Sequence, residues 1–97
     1  MLFAILCDDK PNSLQLRLDT RADHLAFLHG LGDGLKFAGP FLGPDDKPCG
    51  SLVVIEADSL EAAKAMAAKD PYALAGLFAK VDVRPWNWAI KNPAATA

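Results

Sequence analysis

The apolar residues of this chain fall into short runs separated by polar, turn-forming segments. Residues 2–7 and 52–55 are apolar at every position, which is typical of strands buried on both faces. The run at residues 35–42 is interrupted by Gly39 and Pro40, and residues 79–84 alternate between apolar and charged side chains. Because proline cannot donate to a sheet ladder and alternation indicates a half-exposed strand, we predict four strands, at residues 2–7, 35–42, 50–57 and 78–84. The first and third are central and the others lie at the edges.

Two helical segments separate these strands. In the first, Ser13 can cap a short stretch as far as Leu18, and Asp19 or Thr20 can begin a second helix that ends near Gly32. The spacing therefore predicts two successive helices between the first and second strands.

The other helical segment follows the third strand. Asp58 or Ser59 is suited to cap it, and Asp70 followed by Pro71 ends it and begins a short helical turn. The resulting order of strand, helix, strand, strand, helix, strand is the split βαβ arrangement of ferredoxin-like domains. We therefore predict an α+β fold with a four-stranded antiparallel sheet.

The two helices of this topology cover one face of the sheet and leave the other face bare. Since the central strands are apolar on both sides, the bare face would be a large apolar patch, which normally marks an interface. We therefore expect a homodimer that stacks these faces, with residues 86–90, including Trp86 and Trp88, helping to cover the seam.

Composition narrows the class of protein. With 97 residues, of which 52% are hydrophobic, the chain suits one domain and is not intrinsically disordered; residues 91–97 are expected to be a flexible tail. Ten basic and twelve acidic side chains are spread along it, so no cationic stripe favours nucleic acid or a membrane surface. The apolar start is far shorter than a membrane span and lacks the basic residues of a signal peptide. We expect a cytoplasmic protein.

Few residues suggest chemistry. No phosphate loop, nucleophile elbow, dinucleotide fingerprint or zinc motif is present, and Cys7 and Cys49 form no metal-binding or disulfide pattern, so we expect neither a metal nor a cofactor. His24 shares a helical face with apolar residues at positions 27, 28 and 31 and points toward the core. It is a candidate general acid or base, because imidazole titrates near neutral pH. The alternative is a buried histidine with one satisfied hydrogen bond.

Asp70 is the second candidate. It needs no role beyond capping the helix that Pro71 begins, but its carboxylate is also suited to orient the imidazole of His24. The topology places both helices on one side of the sheet, which allows the pairing.

Four further residues are candidates for binding a substrate. Arg21 can hold an anion, although a solvated salt bridge is the common fate of such a residue. Gly39 and Pro40 allow the backbone to approach a ligand closely, or only bend an edge strand. Tyr72 offers a hydroxyl group, although packing explains it equally well.

Several short motifs, in this order along nearly the whole chain, resemble the YCII-related family: Arg21-x-x-His24-Leu25, Ala38-Gly39-Pro40, Gly50-Ser51, Asp58-Ser59-x-Glu61-Ala62-Ala63, Asp70-Pro71-Tyr72 with Ala75-Gly76-Leu77-Phe78, and Val83-Arg84-Pro85-Trp86. The resemblance implies a ferredoxin-like fold assembled as a dimeric α+β barrel and an active site with a histidine and an aspartate, which match His24 and Asp70. The chain departs from the pattern at Ala22, where proline is frequent, and at residues 43–44; neither change touches this pair.

The resemblance also suggests a reaction class. A similar protein, the dehydrochlorinase of chlorinated hydroxyquinol breakdown, implies proton-transfer or elimination chemistry on a small aromatic or enol-like compound. We therefore expect a cofactor-independent isomerase, lyase or dehydrochlorinase in which Asp70 orients His24. A non-catalytic dimer that captures a small metabolite is the alternative.

Overall fold

The fold is seen in a computed structural model that describes residues 1–93. Its strands are β1 (Leu2–Asp9), β2 (Leu35–Leu42), β3 (Pro48–Glu56) and β4 (Phe78–Trp86), and its helices are α1 (Leu14–Gly30), α2 (Leu60–Ala68) and α3 (Pro71–Leu74). The strands form one antiparallel sheet in the order β2-β3-β1-β4. The predicted α+β fold, with the first and third strands central, is confirmed.

The strand register sorts the side chains onto two faces. Phe3 lies opposite Ile55 and Ile5 lies opposite Val53 on the face that the helices cover. These four side chains are buried and form the centre of the core. Helices α1 and α2 pack on this face of the sheet, and α1 carries three of the polar residues described below.

One prediction about the first helical segment is wrong. Residues 14–30 form one continuous helix, α1, rather than two. Asp19 is exposed and accepts a hydrogen bond of 2.8 Å from Gln15, one turn earlier on the same helix, so its side chain supports the helix instead of capping a new one. Ser13 precedes α1 but makes no side-chain capping bond; its hydroxyl donates to the carbonyl of Pro11.

The caps of the other helices are as the sequence predicts. The hydroxyl of Ser59 accepts a hydrogen bond of 3.1 Å from the backbone N–H of Ala62 at the start of α2. Asp70 caps α3, in which Pro71 is the first residue, and accepts a hydrogen bond of 2.9 Å from the N–H of Tyr72. The carboxylate of Asp70 is thereby fixed at the start of a short helix that faces α1.

The second face of the sheet is free of helices and is apolar. Leu6 lies opposite Leu52 on it, and Phe37 makes edge-to-face ring contacts with Trp86 and Trp88, at centroid distances of 5.6 and 4.9 Å. The tryptophans thus cover one end of this face. We call this helix-free surface the open face. The flexible tail predicted for residues 91–97 lies partly outside the described residues, which end at residue 93. Within the described part of the chain, none of the helices is both long and apolar enough to cross a bilayer.

Candidate active site

The structure brings His24 of α1 and Asp70 at the start of α3 into direct contact. Nδ1 of His24 lies 2.8 and 3.0 Å from the two carboxylate oxygens of Asp70. Both residues are buried, with 7% of each exposed. A carboxylate only accepts hydrogen bonds, so Nδ1 donates to it and carries the proton of the ring. In the neutral imidazole, Nε2 is then left with its lone pair.

Asp70 serves two partners at once. Its Oδ1 accepts from the backbone N–H of Tyr72, which caps α3, and from the imidazole of His24. The ring of Tyr72 in turn stacks on the ring of His24, with centroids 3.9 Å apart and planes inclined by 17°. The imidazole is therefore held by a hydrogen bond at one nitrogen and by an aromatic face, which together fix its position and tautomer.

A buried arginine adjoins this pair. Nε and Nη2 of Arg17 donate to the two carboxylate oxygens of Asp9 over 2.7 and 2.9 Å, a bidentate ion pair between side chains that are only 5% and 6% exposed. Nη2 also donates to the hydroxyl of Ser51 over 2.9 Å. The guanidinium carbon lies 4.6 Å from the ring centroid of Tyr72, within the range of a cation–π contact. Tyr72 thus lies against both His24 and Arg17.

A cavity of about 250 Å³ lies between α1, α3 and the β2–β3 side of the sheet, and the side chains of Arg17, His24, Ser51 and Tyr72 line it. That volume is a little below the roughly 300–1,000 Å³ of pockets that hold drug-sized ligands, so the cavity suits a metabolite of about one ring. Its lining residues are Arg17, Leu18, Arg21, His24, Leu25, Leu28, Ala38, Gly39, Pro40, Pro48, Ser51, Val53 and Tyr72.

All six residues singled out in the sequence therefore lie at one place. Arg21, Gly39, Pro40, His24 and Tyr72 line the cavity, and Asp70 stands directly behind His24. Arg21 is exposed and has no ion-pair partner among residues 1–93. Gly39 and Pro40 are exposed residues of edge strand β2, which forms the rim.

Sequence reasoning missed Arg17, Asp9 and Ser51. Arg17 precedes His24 by seven residues, so the two side chains project within about 20° of each other on a continuous helix. Asp9 continues the alternation of Phe3, Ile5 and Cys7 on the helix-covered face of β1. The helical spacing would have pointed to Arg17 if α1 had not been divided in two.

Burial and neighbouring charges shift the pKa values of Tyr72, Arg17 and Cys7. It raises the pKa of the Tyr72 hydroxyl, although Arg17 and Arg21 act in the opposite direction, so the phenol keeps its proton. Burial opposes the charge of Arg17, but the hydrogen bonds and the charge of Asp9 outweigh it and raise the pKa of the guanidinium. Burial, with a contribution from the charge of Asp70, raises the pKa of the Cys7 thiol to about 12, which makes it a poor nucleophile.

No group of side chains suited to holding a metal ion occurs within residues 1–93. Cys7 is buried in the core, whereas Cys49 is exposed, so the two thiols lie in different environments.

The fold and the cavity together define a class of protein. The architecture is that of ferredoxin-like domains, and its solved neighbours are of the dimeric α+β barrel type. A NIPSNAP family protein from Agrobacterium tumefaciens strain C58 superposes with a TM-score of 0.59 over 97% of each chain, at 12% identity. At that identity the similarity concerns the fold alone.

The family follows from similarity in sequence. The model of the YCII-related domain matches residues 1–87. Protein YciI of Escherichia coli O6:H1 strain CFT073 is 43% identical over 95 residues, covering 90% of this chain and 97% of that protein. The chain belongs to the YCII-related family.

A solved structure with substantial sequence identity carries a named activity. This is 5-chloro-2-hydroxyhydroquinone dehydrochlorinase (TftG) from Burkholderia phenoliruptrix AC1100, in complex with 2,5-dihydroxybenzoquinone. It superposes with a TM-score of 0.83 at 39% identity, covering 90% of this chain and 94% of that one.

Proposed function

We propose that the protein is a cofactor-independent enzyme in which His24, oriented by Asp70, transfers a proton on a small aromatic or enol-like metabolite. The observation that carries the proposal is the hydrogen bond of 2.8 Å between Nδ1 of His24 and Asp70 at the wall of the cavity. Buried imidazole–carboxylate pairs beside an open cavity are a recurrent arrangement for general acid–base catalysis.

The base in this proposal is Nε2 of His24. It makes no hydrogen bond with the other described residues, and it is not sealed from solvent, since the described residues contain no fully buried side-chain nitrogen or oxygen without a partner. When Nε2 takes a proton, the ring becomes positively charged and the carboxylate of Asp70 stabilises that charge at Nδ1. The same ring then returns the proton to the product or to the leaving group.

The reaction class is a proton abstraction next to a carbonyl or enol. His24 takes a proton from carbon, and the C–H electron pair forms a new C=C bond. In an elimination, the group on the adjacent carbon leaves as an anion; in an isomerisation, the proton is returned to another carbon. The similarity to a dehydrochlorinase with a dihydroxybenzoquinone in its complex supports a substrate of this kind.

Other residues of the cavity bind and enclose the substrate in this proposal. Arg21 contacts a negatively charged oxygen from the rim, and Tyr72 donates its phenol hydrogen while packing against the imidazole. Gly39 and Pro40 form the edge over which a planar molecule enters.

The decisive experiment is an assay of the purified protein with 5-chloro-2-hydroxyhydroquinone. Chloride release is measured together with the visible absorbance of the quinone product. We expect chloride and quinone in equal amounts, at a rate proportional to protein concentration and above the uncatalysed rate. If the compound binds but neither product forms, and a panel of hydroxyquinones and enol lactones behaves alike, the protein is a small-molecule binder rather than an enzyme.

We further propose that the chain, taken as one domain over residues 1–97, functions as a homodimer. Support comes from the open face, where Leu6 and Leu52 lie on the same side of the sheet as the exposed side chain of Phe41, and from the dimeric barrel type of the solved neighbours. Sedimentation equilibrium is expected to give twice the chain mass of 10.3 kDa at micromolar concentration. Leu52→Asp, which places a charge on the open face, should shift the protein to the monomer mass of 10.3 kDa, whereas a monomeric wild type would contradict the proposal.

A further inference from the structure

The polar lining of the cavity consists almost entirely of hydrogen-bond donors. Its polar side chains are those of Arg17, Arg21, His24, Ser51 and Tyr72, and residues 1–93 contribute no carboxylate to the lining. Two acidic residues lie close to the lining but accept hydrogen bonds from other side chains: Asp9 from Arg17 and Asp70 from His24. A ligand that fills this cavity must therefore supply the acceptors itself.

The hydrogen bonds of Arg17 to Asp9 and Ser51 do not use all of its N–H groups. A guanidinium carries five N–H groups, and Asp9 and Ser51 use the one on Nε and the two on Nη2. The two on Nη1 make no hydrogen bond with another described residue within the distances given above, although the hydroxyl of Tyr72 lies near the guanidinium and contributes to its raised pKa. At least one N–H of Arg17, a residue that is 4% exposed, is therefore left for a ligand.

The neighbours of Arg17 extend this donor set. Ser51 accepts from Nη2 of Arg17, so its own hydroxyl hydrogen remains to be donated. Arg21 brings a second guanidinium without an ion-pair partner among the described residues. Nε2 of His24 is then the acceptor of the cavity, at the position where the proposed function requires a base.

We propose that the cavity selects a planar organic oxyanion, such as the enolate of a hydroxyquinone, and that Arg17 is the residue that holds its charged oxygen. This inference rests on the proposed function, to which it adds the selection for an anionic substrate and Arg17 as the residue responsible for it. Arg17 is suited to the role because Asp9 and Ser51 hold its guanidinium rigidly before the ligand arrives. Arg21, which is exposed and unpaired, supplies a second, more mobile contact.

Calorimetric titration with two matched quinones tests the inference. 2,5-Dihydroxybenzoquinone is a vinylogous acid and is anionic at neutral pH, whereas 2,5-dimethoxybenzoquinone has the same ring and no ionisable group. We expect the wild type to bind the dihydroxy compound at least about 10-fold more tightly, since a hydrogen bond to a charged group is worth about 10- to 100-fold in affinity. Equal affinities, or no binding of the anion, would overturn the inference.

Variants then assign the charge contact. Because Arg17→Gln alone would leave Asp9 buried and unpaired, the informative variant is Asp9→Asn with Arg17→Gln, checked for folding by circular dichroism. We expect it to lose about 10- to 100-fold in affinity for the anion and little for the dimethoxy compound. Arg21→Gln should lose less, and its loss should shrink at high salt because the contact is exposed. Lys64→Gln, which removes an exposed helical cation outside the cavity, is the control and should bind as the wild type does.

The outcomes separate this inference from the proposed function. If the folded double variant binds the anion as tightly as the wild type does, Arg17 is not the selecting residue, whatever His24 does in turnover. If anion selection follows Arg17 while turnover proves independent of His24, the binding inference stands and the proposed catalytic role fails.

Discussion

Replacing His24 by alanine is expected to lower kcat by about 10²- to 10⁴-fold, the range that a positioned general acid or base contributes. In the proposed mechanism, the imidazole supplies both the base, Nε2, and the group that carries the proton until it is returned. Because the other contacts of the substrate in the cavity are unchanged, KM should move much less than kcat. The measurement is steady-state chloride release, or the turnover of whichever substrate the wild type converts.

The chain contains its own control for this experiment. His29 lies on the same helix but is exposed at the end of α1, so His29→Ala removes an imidazole without touching the cavity and should leave kcat unchanged.

Asp70→Asn retains a side chain able to cap α3 but no longer accepts as a charged group. It should lower kcat as well, and the double variant His24→Ala/Asp70→Asn should be no slower than His24→Ala alone, because the two residues act as a unit. Normal turnover in folded His24→Ala would refute the catalytic role.

Replacing Arg17 by methionine is expected to reduce the free energy of unfolding by about 3–5 kcal/mol, as is usual when one partner of a buried ion pair is removed. The carboxylate of Asp9, whose side chain is 6% exposed, would stay buried without its partner, and Ser51 would lose its donor. Urea denaturation at fixed protein concentration measures the effect, since the proposed dimerisation would make stability depend on concentration.

Two comparison variants show whether the unpaired charge is the cause. Asp9→Leu combined with Arg17→Met removes both charges and should recover most of the lost stability. Arg21→Met, an exposed arginine one turn further along α1, should change the free energy of unfolding by no more than about 0.5 kcal/mol. If Arg17→Met were as stable as Arg21→Met, the ion pair with Asp9 would contribute nothing to folding.

Much of this fold can be predicted from the sequence because its central and edge strands have different patterns of apolar and polar residues. Apolar side chains at every position of residues 2–7 and 52–55 indicate the central strands of a sheet, which is where β1 and β3 lie. Pro40 and the alternating charges of residues 79–84 are equally informative about the edges. The position of His24 on an apolar helical face predicts burial, and its pairing with Asp70 follows once both helices are placed on one side.

The continuity of α1 and the burial of Arg17 cannot be predicted from the sequence pattern in the same way. Asp19 and Thr20 are as well suited to capping a helix as to lying on its exposed side, and the difference in free energy between these two states is set by packing against the sheet, which local pattern does not report. A charged residue such as Arg17 is normally exposed. Its burial depends on Asp9 and Ser51, which come from two different strands, so only the folded chain shows that its charge is compensated.

The cavity and the open face lie on opposite sides of one sheet, and this separation has a consequence for how the protein can change over evolutionary time. The contacts of Arg17 with Asp9 and Ser51 and of His24 with Asp70 are made within one chain, so each copy in the proposed dimer would carry its own set. A mixed assembly of one intact and one inactivated copy should therefore retain half of its activity, with no rescue between copies. If both proposals hold, substitutions at Leu52 or Trp86 should alter assembly and substitutions at Arg21 or Pro40 should alter ligand preference, with little interference between the two.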